Sequence, residues 1–110
     1  MGIGEMGLHQ KGVKDDKGKP DMSIIFEGFP RALLSVGDIG TFGANKYTRG
    51  GWMTVPDGIN RYTAAMGRHL LAEAIDPGAV DEDSGELHAV QVAWNALARL
   101  ELILRDKESK

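Results

Sequence analysis

The feature that most constrains this chain is the segment 61–95, RYTAAMGRHLLAEAIDPGAVDEDSGELHAVQVAWN, where two helical patterns flank an acidic loop containing Pro77, Gly78 and Gly85. Tyr62, Ala65, Met66 and Leu70 follow the i, i+3, i+4 spacing of one helical face, and His69 and Glu73 continue the stripe. With Asn60 available as an N-cap and Pro77-Gly78 ending the pattern, the spacing predicts a helix over 61–75. The second pattern opens after Asp83-Ser84-Gly85, with Ser84 as its cap. It runs through Val90, Trp94, Leu97 and Leu104 without Gly or Pro, which predicts a helix over 86–105. His88, Gln91 and Asn95 share a face of that helix. A loop this short returns the chain alongside itself, so the two helices are expected to pair antiparallel.

A chain of 110 residues is one domain near the lower end of the size at which a core closes unaided, so a homo-oligomer, dimer or tetramer, is expected. The predicted class is all-α, with three main helices over 30–42, 61–75 and 86–105. The domain is read as 14–105, preceded by a Gly-rich flexible arm, 1–13, and followed by a charged tail, 106–110, that frays. Cysteine is absent, which excludes disulfides, thiolate metal sites and thiol nucleophiles. No apolar run reaches bilayer length and no leader pattern opens the chain, so no membrane partner is expected and the cytoplasm is the expected compartment. The net charge of -3 argues against duplex nucleic acid, although basic residues cluster early enough for a local anion site.

Two of the early lysines, Lys17 and Lys19, sit in a charged turn where they are either solvated or meet phosphate oxygens as mobile point charges. Ile24–Phe29 is a short apolar patch, either extended or stapling the next helix. Pro30 suits the first turn of that helix, which would bury Leu33, Leu34, Val36 and Ile39. Gly37, Gly40 and Gly43 each weaken such a helix by about 1 kcal/mol, so a close neighbour, helix or ligand, is expected there. The next stretch, 44–57, reads as a loop that interleaves Lys46, Tyr47, Arg49 and Trp52. Cations beside aromatics can hold a phosphate and stack a base, but Trp52 could equally plug the core.

The central pair carries the chemistry. Asp76, Asp81, Glu82, Asp83 and Glu86 lie close together, with Glu73 before them and His88 after. As a charge run this is a solvated loop that also favours the next helix's N-terminus. Two histidines, each within a helical turn of a carboxylate, point instead to a divalent ion bridging carboxylates to phosphate, with Mg²⁺ suited by the oxygens and Mn²⁺, Co²⁺ or Fe²⁺ by added imidazole. Arg61 and Arg68 share a helical face and could clamp a phosphate or bridge two subunits. Phosphate-binding GxxxxGK[ST], HExxH and GxSxG motifs are absent, and no GxGxxG follows a strand pattern.

The ordered series DDKGKPDMS, TFGANKY, GGW, RY with RHLLAEAID, and DEDSGELHAVQVAWNAL resembles the dATP/dGTP diphosphohydrolase amino-terminal domain family of phages and bacteria, over about residues 14–104. That family looks like a branch of the MazG-like all-α nucleoside triphosphate pyrophosphohydrolases. The resemblance implies metal-dependent hydrolysis of dATP or dGTP to monophosphate and pyrophosphate, by a helical oligomer that controls a phage nucleotide pool. Lys19, Lys46, Tyr47, Trp52, Arg61, Arg68, His69, Asp83, His88 and Asn95 match positions that recur in the family; phosphate contacts are expected from Lys19, Lys46, Arg61 and Arg68, and base or ligand contacts from Tyr47, Trp52, His69 and Asn95. On this reading Glu73, Asp83 and His88 are the expected catalytic residues, with Mg²⁺ or Mn²⁺ held by Glu73, Asp76 or Asp83, and His88. The wider superfamily holds magnesium with ExxE and ExxD, which this chain lacks at the corresponding places. That departure supports a competing expectation, a protein that sequesters a nucleotide or cyclic-nucleotide signal on the same fold without cutting it.

Overall fold

The computed structural model describes residues 11–109, so most of the expected arm, 1–13, lies outside the described residues. The chain is all-α. Helix α1 spans Ser23–Gly28, α2 Pro30–Lys46, α3 Gly58–Ile75 and α4 His88–Glu108, with a 3-10 turn over Gly51–Thr54 between α2 and α3. Among the described residues extended pairing is confined to one antiparallel bridge, Val80 with Leu87, which closes the loop between α3 and α4.

The three long helices occupy the expected segments with shifted ends. Pro30 does stand in the first turn of α2. That helix continues past 42 to Lys46, taking the start of the expected loop with it. Helix α3 begins three residues before Arg61 because Asp57 adopts a left-handed backbone, φ 56°, that turns the chain into Gly58. Asn60, expected as the cap, lies inside the first turn and donates from Nδ2 to Asp57 Oδ1 at 2.9 Å. Ser84 does not cap α4 either; the N-cap is Leu87, and Ser84 is used within the loop. At the other end the expected frayed tail is helical through Glu108, with Arg105 and Lys107 in a last turn that favours cations.

Helices α3 and α4 make the principal contact, α2 lies against α4, and the chief neighbour of α1 is α2. The pair runs antiparallel: Gly58 faces Leu102, Tyr62 meets Trp94, Thr63 Oγ1 accepts from Arg99 Nε at 2.7 Å, and His69 meets His88. Numbers rise on one helix as they fall on the other.

An aromatic trio holds this pair to the rest of the chain. Trp52, Tyr62 and Trp94 pack edge to face, with centroids 5.6 to 6.4 Å apart, the geometry favoured by ring quadrupoles. The Tyr62 hydroxyl also donates to the Trp52 carbonyl at 2.7 Å, and burial raises its phenol above the usual range. Gly50, at φ 78°, supplies the left-handed turn that brings Trp52 to this position. Of the α2 glycines, Gly40 has the expected close neighbour: a Cβ there would stand 3.5 Å from Trp94 Nε1, whereas Gly37 and Gly43 face open space.

The hydrophobic residues buried among those described are Ile39, Val90 and Ala98, and Asn95 is buried with them. Of the set expected under α2, Ile39 is buried, Leu33 and Val36 are half-buried and Leu34 is exposed. Phe26 on α1, Phe29 at the junction and Leu34 on α2 lie open, as do Leu71 and Ile75 on α3, and Leu97, Leu100 and Leu104 form an open stripe along α4. Trp94 is committed to its own chain's aromatic trio. Because that trio joins three segments, Trp94→Ala is expected to destabilise the fold by about 3 kcal/mol, read as a lower urea midpoint at unchanged slope.

Candidate functional site

A cleft of about 1350 Å³ opens between α2, the turn after it, α3 and the start of α4. One wall is the C-terminal part of α2 and the following segment, with Lys46, Tyr47, Arg49 and Trp52. Arg61, Arg68 and His69 come from α3, Asp81 and Asp83 from the α3–α4 loop, and Gln91 and Asn95 from α4. The cleft therefore gathers residues far apart in sequence. Helical spacing explains part of this, since Arg61, Arg68 and His69 lie on two adjoining faces of α3, and Gln91 and Asn95 are one turn apart on α4.

His69, on the cleft wall, meets a second imidazole, His88, which is not among the residues lining the cleft. His69 Nδ1 and His88 Nδ1 are 2.8 Å apart, with ring centroids at 5.1 Å and planes tilted by 37°. One ring must donate and the other accept, so at least one nitrogen of the contact is unprotonated. Burial lowers His69 below the ordinary imidazole range; the neighbouring His88 and Arg68 push the same way, while Asp81 opposes them. Burial accordingly favours the neutral, electron-donating form of His69. The Asp81 carboxylate joins them: one donor atom from each of His69, Asp81 and His88 lies within 4.8 Å of the others.

The loop that delivers Asp81 is pinned by its own hydrogen bonds. Asp81 Oδ2 accepts from the Ser84 N–H at 3.1 Å and the Ser84 hydroxyl at 3.0 Å. Ser84 Oγ in turn accepts from the Glu86 N–H at 3.2 Å and Gln91 Nε2 at 3.3 Å. Backbone bonds from Asp81 N to Glu86 O and from Gly85 N to Asp81 O, each 2.7 Å, tighten the turn. His88 N reaches Ala79 O at 3.3 Å, which ties the start of α4 to the same loop. Asn95 is buried beside the cleft and donates to Gln91 O at 2.8 Å.

The expected site residues divide clearly by position. Lys46, Tyr47, Trp52, Arg61, Arg68, His69, Asp83 and Asn95 all line the cleft. Lys19 is exposed in the N-terminal turn, and it and Lys17 are absent from the lining. Of the expected ligands Glu73, Asp76, Asp83 and His88, the one group of side chains among the described residues close enough together to hold a metal ion contains His88 alone. Glu73 is half-buried one turn beyond His69, and Asp76 terminates α3. Asp83 forms an ion pair with Lys46 across the cleft, and that hydrogen bond, with Tyr47 next, raises the lysine further above its usual range. Trp52 both packs against Tyr62 and Trp94 and borders the cleft, so the plug and the aromatic wall are one residue. Asp81 and Ser84 were the members that spacing could have revealed, because Asp followed three residues later by Ser is a local turn signature.

The family described as dATP/dGTP diphosphohydrolase, N-terminal, matches residues 9–110. The chain belongs to this family. The match spans all four helices and every residue of the cleft. No curated protein and no solved structure matches the chain. Among the described residues no helix is long and apolar enough to cross a membrane.

Since Ser84 receives and donates within one turn, Ser84→Ala is expected to cost about 1 kcal/mol of stability. It should also speed hydrogen exchange at the Ser84 and Glu86 amides selectively, leaving the centre of α4 protected; equal protection in both proteins would contradict this account of the loop.

Proposed function

We propose that the cleft binds a purine deoxynucleoside triphosphate, dATP or dGTP, and hydrolyses it to the monophosphate and pyrophosphate, so controlling a nucleotide pool in the cytoplasm. The observation that carries this reading is the composition of one cavity: cations, aromatic rings and a polar donor group face the same space in a chain of the dATP/dGTP diphosphohydrolase N-terminal family.

Arg61 and Arg68, whose planar forks match phosphate oxygens, hold the triphosphate, with Lys46 and Arg49 lining the same cleft. Tyr47, largely exposed at the rim, and the edge of Trp52 offer surfaces for the base, and Asn95 and Gln91 supply amide groups that orient the ligand. In the reaction a water oxygen forms a bond to the α-phosphorus while the bond from that phosphorus to the α–β bridging oxygen breaks. Pyrophosphate leaves with the bridging oxygen, and the water proton passes to a cleft base or to solvent. Arg68 and Lys46 neutralise the charge that develops on the departing group. A divalent cation held among the cleft's imidazole and carboxylate donors would supply further positive charge to the phosphates.

The active form in this reading is a homo-oligomer. The open stripe of Leu97, Leu100 and Leu104 and the apolar face of α1 and α2 are the surfaces a second copy would cover. Light scattering after gel filtration should give a dimer or larger assembly, and Leu100→Glu should dissociate it; a monomer at micromolar concentration would reject this part.

The deciding experiment incubates the purified chain with individual purine and pyrimidine nucleoside triphosphates and Mn²⁺ or Mg²⁺, then separates the products. Monophosphate and pyrophosphate from dATP or dGTP are expected. Arg68→Ala should raise KM by about 10- to 100-fold, the worth of a charged hydrogen bond lost. The lack of ExxE and ExxD at the superfamily's corresponding places leaves a second outcome physically meaningful: intact nucleotide co-eluting with the protein would replace hydrolysis with sequestration on the same residues.

A further inference from the structure

The resemblance to magnesium-dependent pyrophosphohydrolases leads to an expectation of clustered carboxylates, yet the donors that meet in this chain are two imidazoles and one carboxylate. We propose that His69, Asp81 and His88 form a site for a first-row transition dication of the Mn²⁺, Fe²⁺ or Co²⁺ class, selected against Mg²⁺. The proposal deepens the nucleotide-hydrolase reading and takes its purpose from it, but the site can be tested with no nucleotide present.

Donor chemistry supports the choice of ion. Mg²⁺ takes oxygen ligands and gives up water reluctantly, whereas imidazole nitrogen suits the later divalent ions, and two histidines with one carboxylate is a recurrent set for them. Distance supports it as well. Two nitrogens at metal–ligand lengths of about 2.1 Å stand roughly 3.0 Å apart at a right angle and roughly 3.4 Å apart at a tetrahedral one. The two Nδ1 atoms are already 2.8 Å apart, near the right-angle value. Little rearrangement is then needed to replace their shared proton by an ion.

The surroundings are those of a supported site. Asp81 Oδ2 is held by both the N–H and the hydroxyl of Ser84, and Ser84 is held by Gln91, so the carboxylate is oriented before any ion arrives. His69 and Asp81 border the cleft, so an ion held by this group would lie beside the space where phosphate oxygens would bind. The three ligands come from α3, the loop and the first residue of α4, so occupation would also clamp the α3–α4 connection.

The test uses the full chain, stripped with a chelator and dialysed against Co²⁺ or Mn²⁺ in a large excess of Mg²⁺, without nucleotide. One Co²⁺ per chain is expected, with visible ligand-field absorption and a raised thermal midpoint. His69→Gln and His88→Asn, read beside circular dichroism to confirm the fold, should each abolish stoichiometric binding. Ser84→Ala should weaken it by about 10- to 100-fold, and Glu73→Gln, outside the group, should leave it unchanged. Failure to retain Co²⁺, its displacement by Mg²⁺ at equal concentration, or loss through Glu73→Gln with His69→Gln unaffected would each overturn the assignment. Stoichiometric Co²⁺ without turnover of any nucleotide keeps the metal site and removes the hydrolase reading. Turnover by protein that retains no transition ion removes the metal site alone.

Discussion

The antiparallel packing of α3 on α4 is the constraint on which the rest of the structure depends. Its far end is the close approach of Gly58 to Leu102, its middle is Tyr62 on Trp94, and its near end is the contact of His69 with His88. Each point sets the register for the next, because a helix is stiff and its side chains recur every turn. The meeting of two polar rings at the loop end is thus a consequence of apolar and aromatic packing farther along the pair.

Trp52 and Trp94 connect this scaffold to the cleft. Gly40 lets α2 approach Trp94 closely, and the turn at Gly50 brings Trp52 against both Trp94 and Tyr62. The segment bearing Lys46, Tyr47 and Arg49 thereby lines the same cleft as Arg61 and Arg68. Electrostatics alone would drive these cations apart. Their common orientation is imposed by packing, and the charge it concentrates is available to an anionic ligand. The Lys46–Asp83 pair offsets part of that charge at an exposed position, where such a pair contributes little stability.

Much of the helical scaffold was legible because its signals are local. Pro30, the Tyr62-to-Leu70 stripe and the uninterrupted run from Val90 to Leu104 each encode a helix within a few residues. The ends were less legible, since they depended on backbone the pattern does not record. Asp57 reaches a left-handed conformation, so α3 starts earlier than Asn60 implied, and Ser84 serves the Asp81 carboxylate and so leaves Leu87 as the cap of α4. The cleft was partly legible: cations and aromatics in 44–57 and the arginines of α3 were recognisable by type, whereas the position of Lys19 away from them was not.

The sequence by itself determined the helical class, the order and approximate extent of the long helices, and, through its ordered motifs, the family. These are properties of short windows, in which turn chemistry and apolar spacing act within reach of one another. Only the tertiary structure decided that His69 and His88, nineteen positions apart, touch, and that Asp81 rather than Asp76 or Glu73 joins them. Several carboxylates lie in or beside that loop and each is chemically able to approach a histidine. The selection between them is made by the Ser84 turn and the register of two packed helices, both of which act through space.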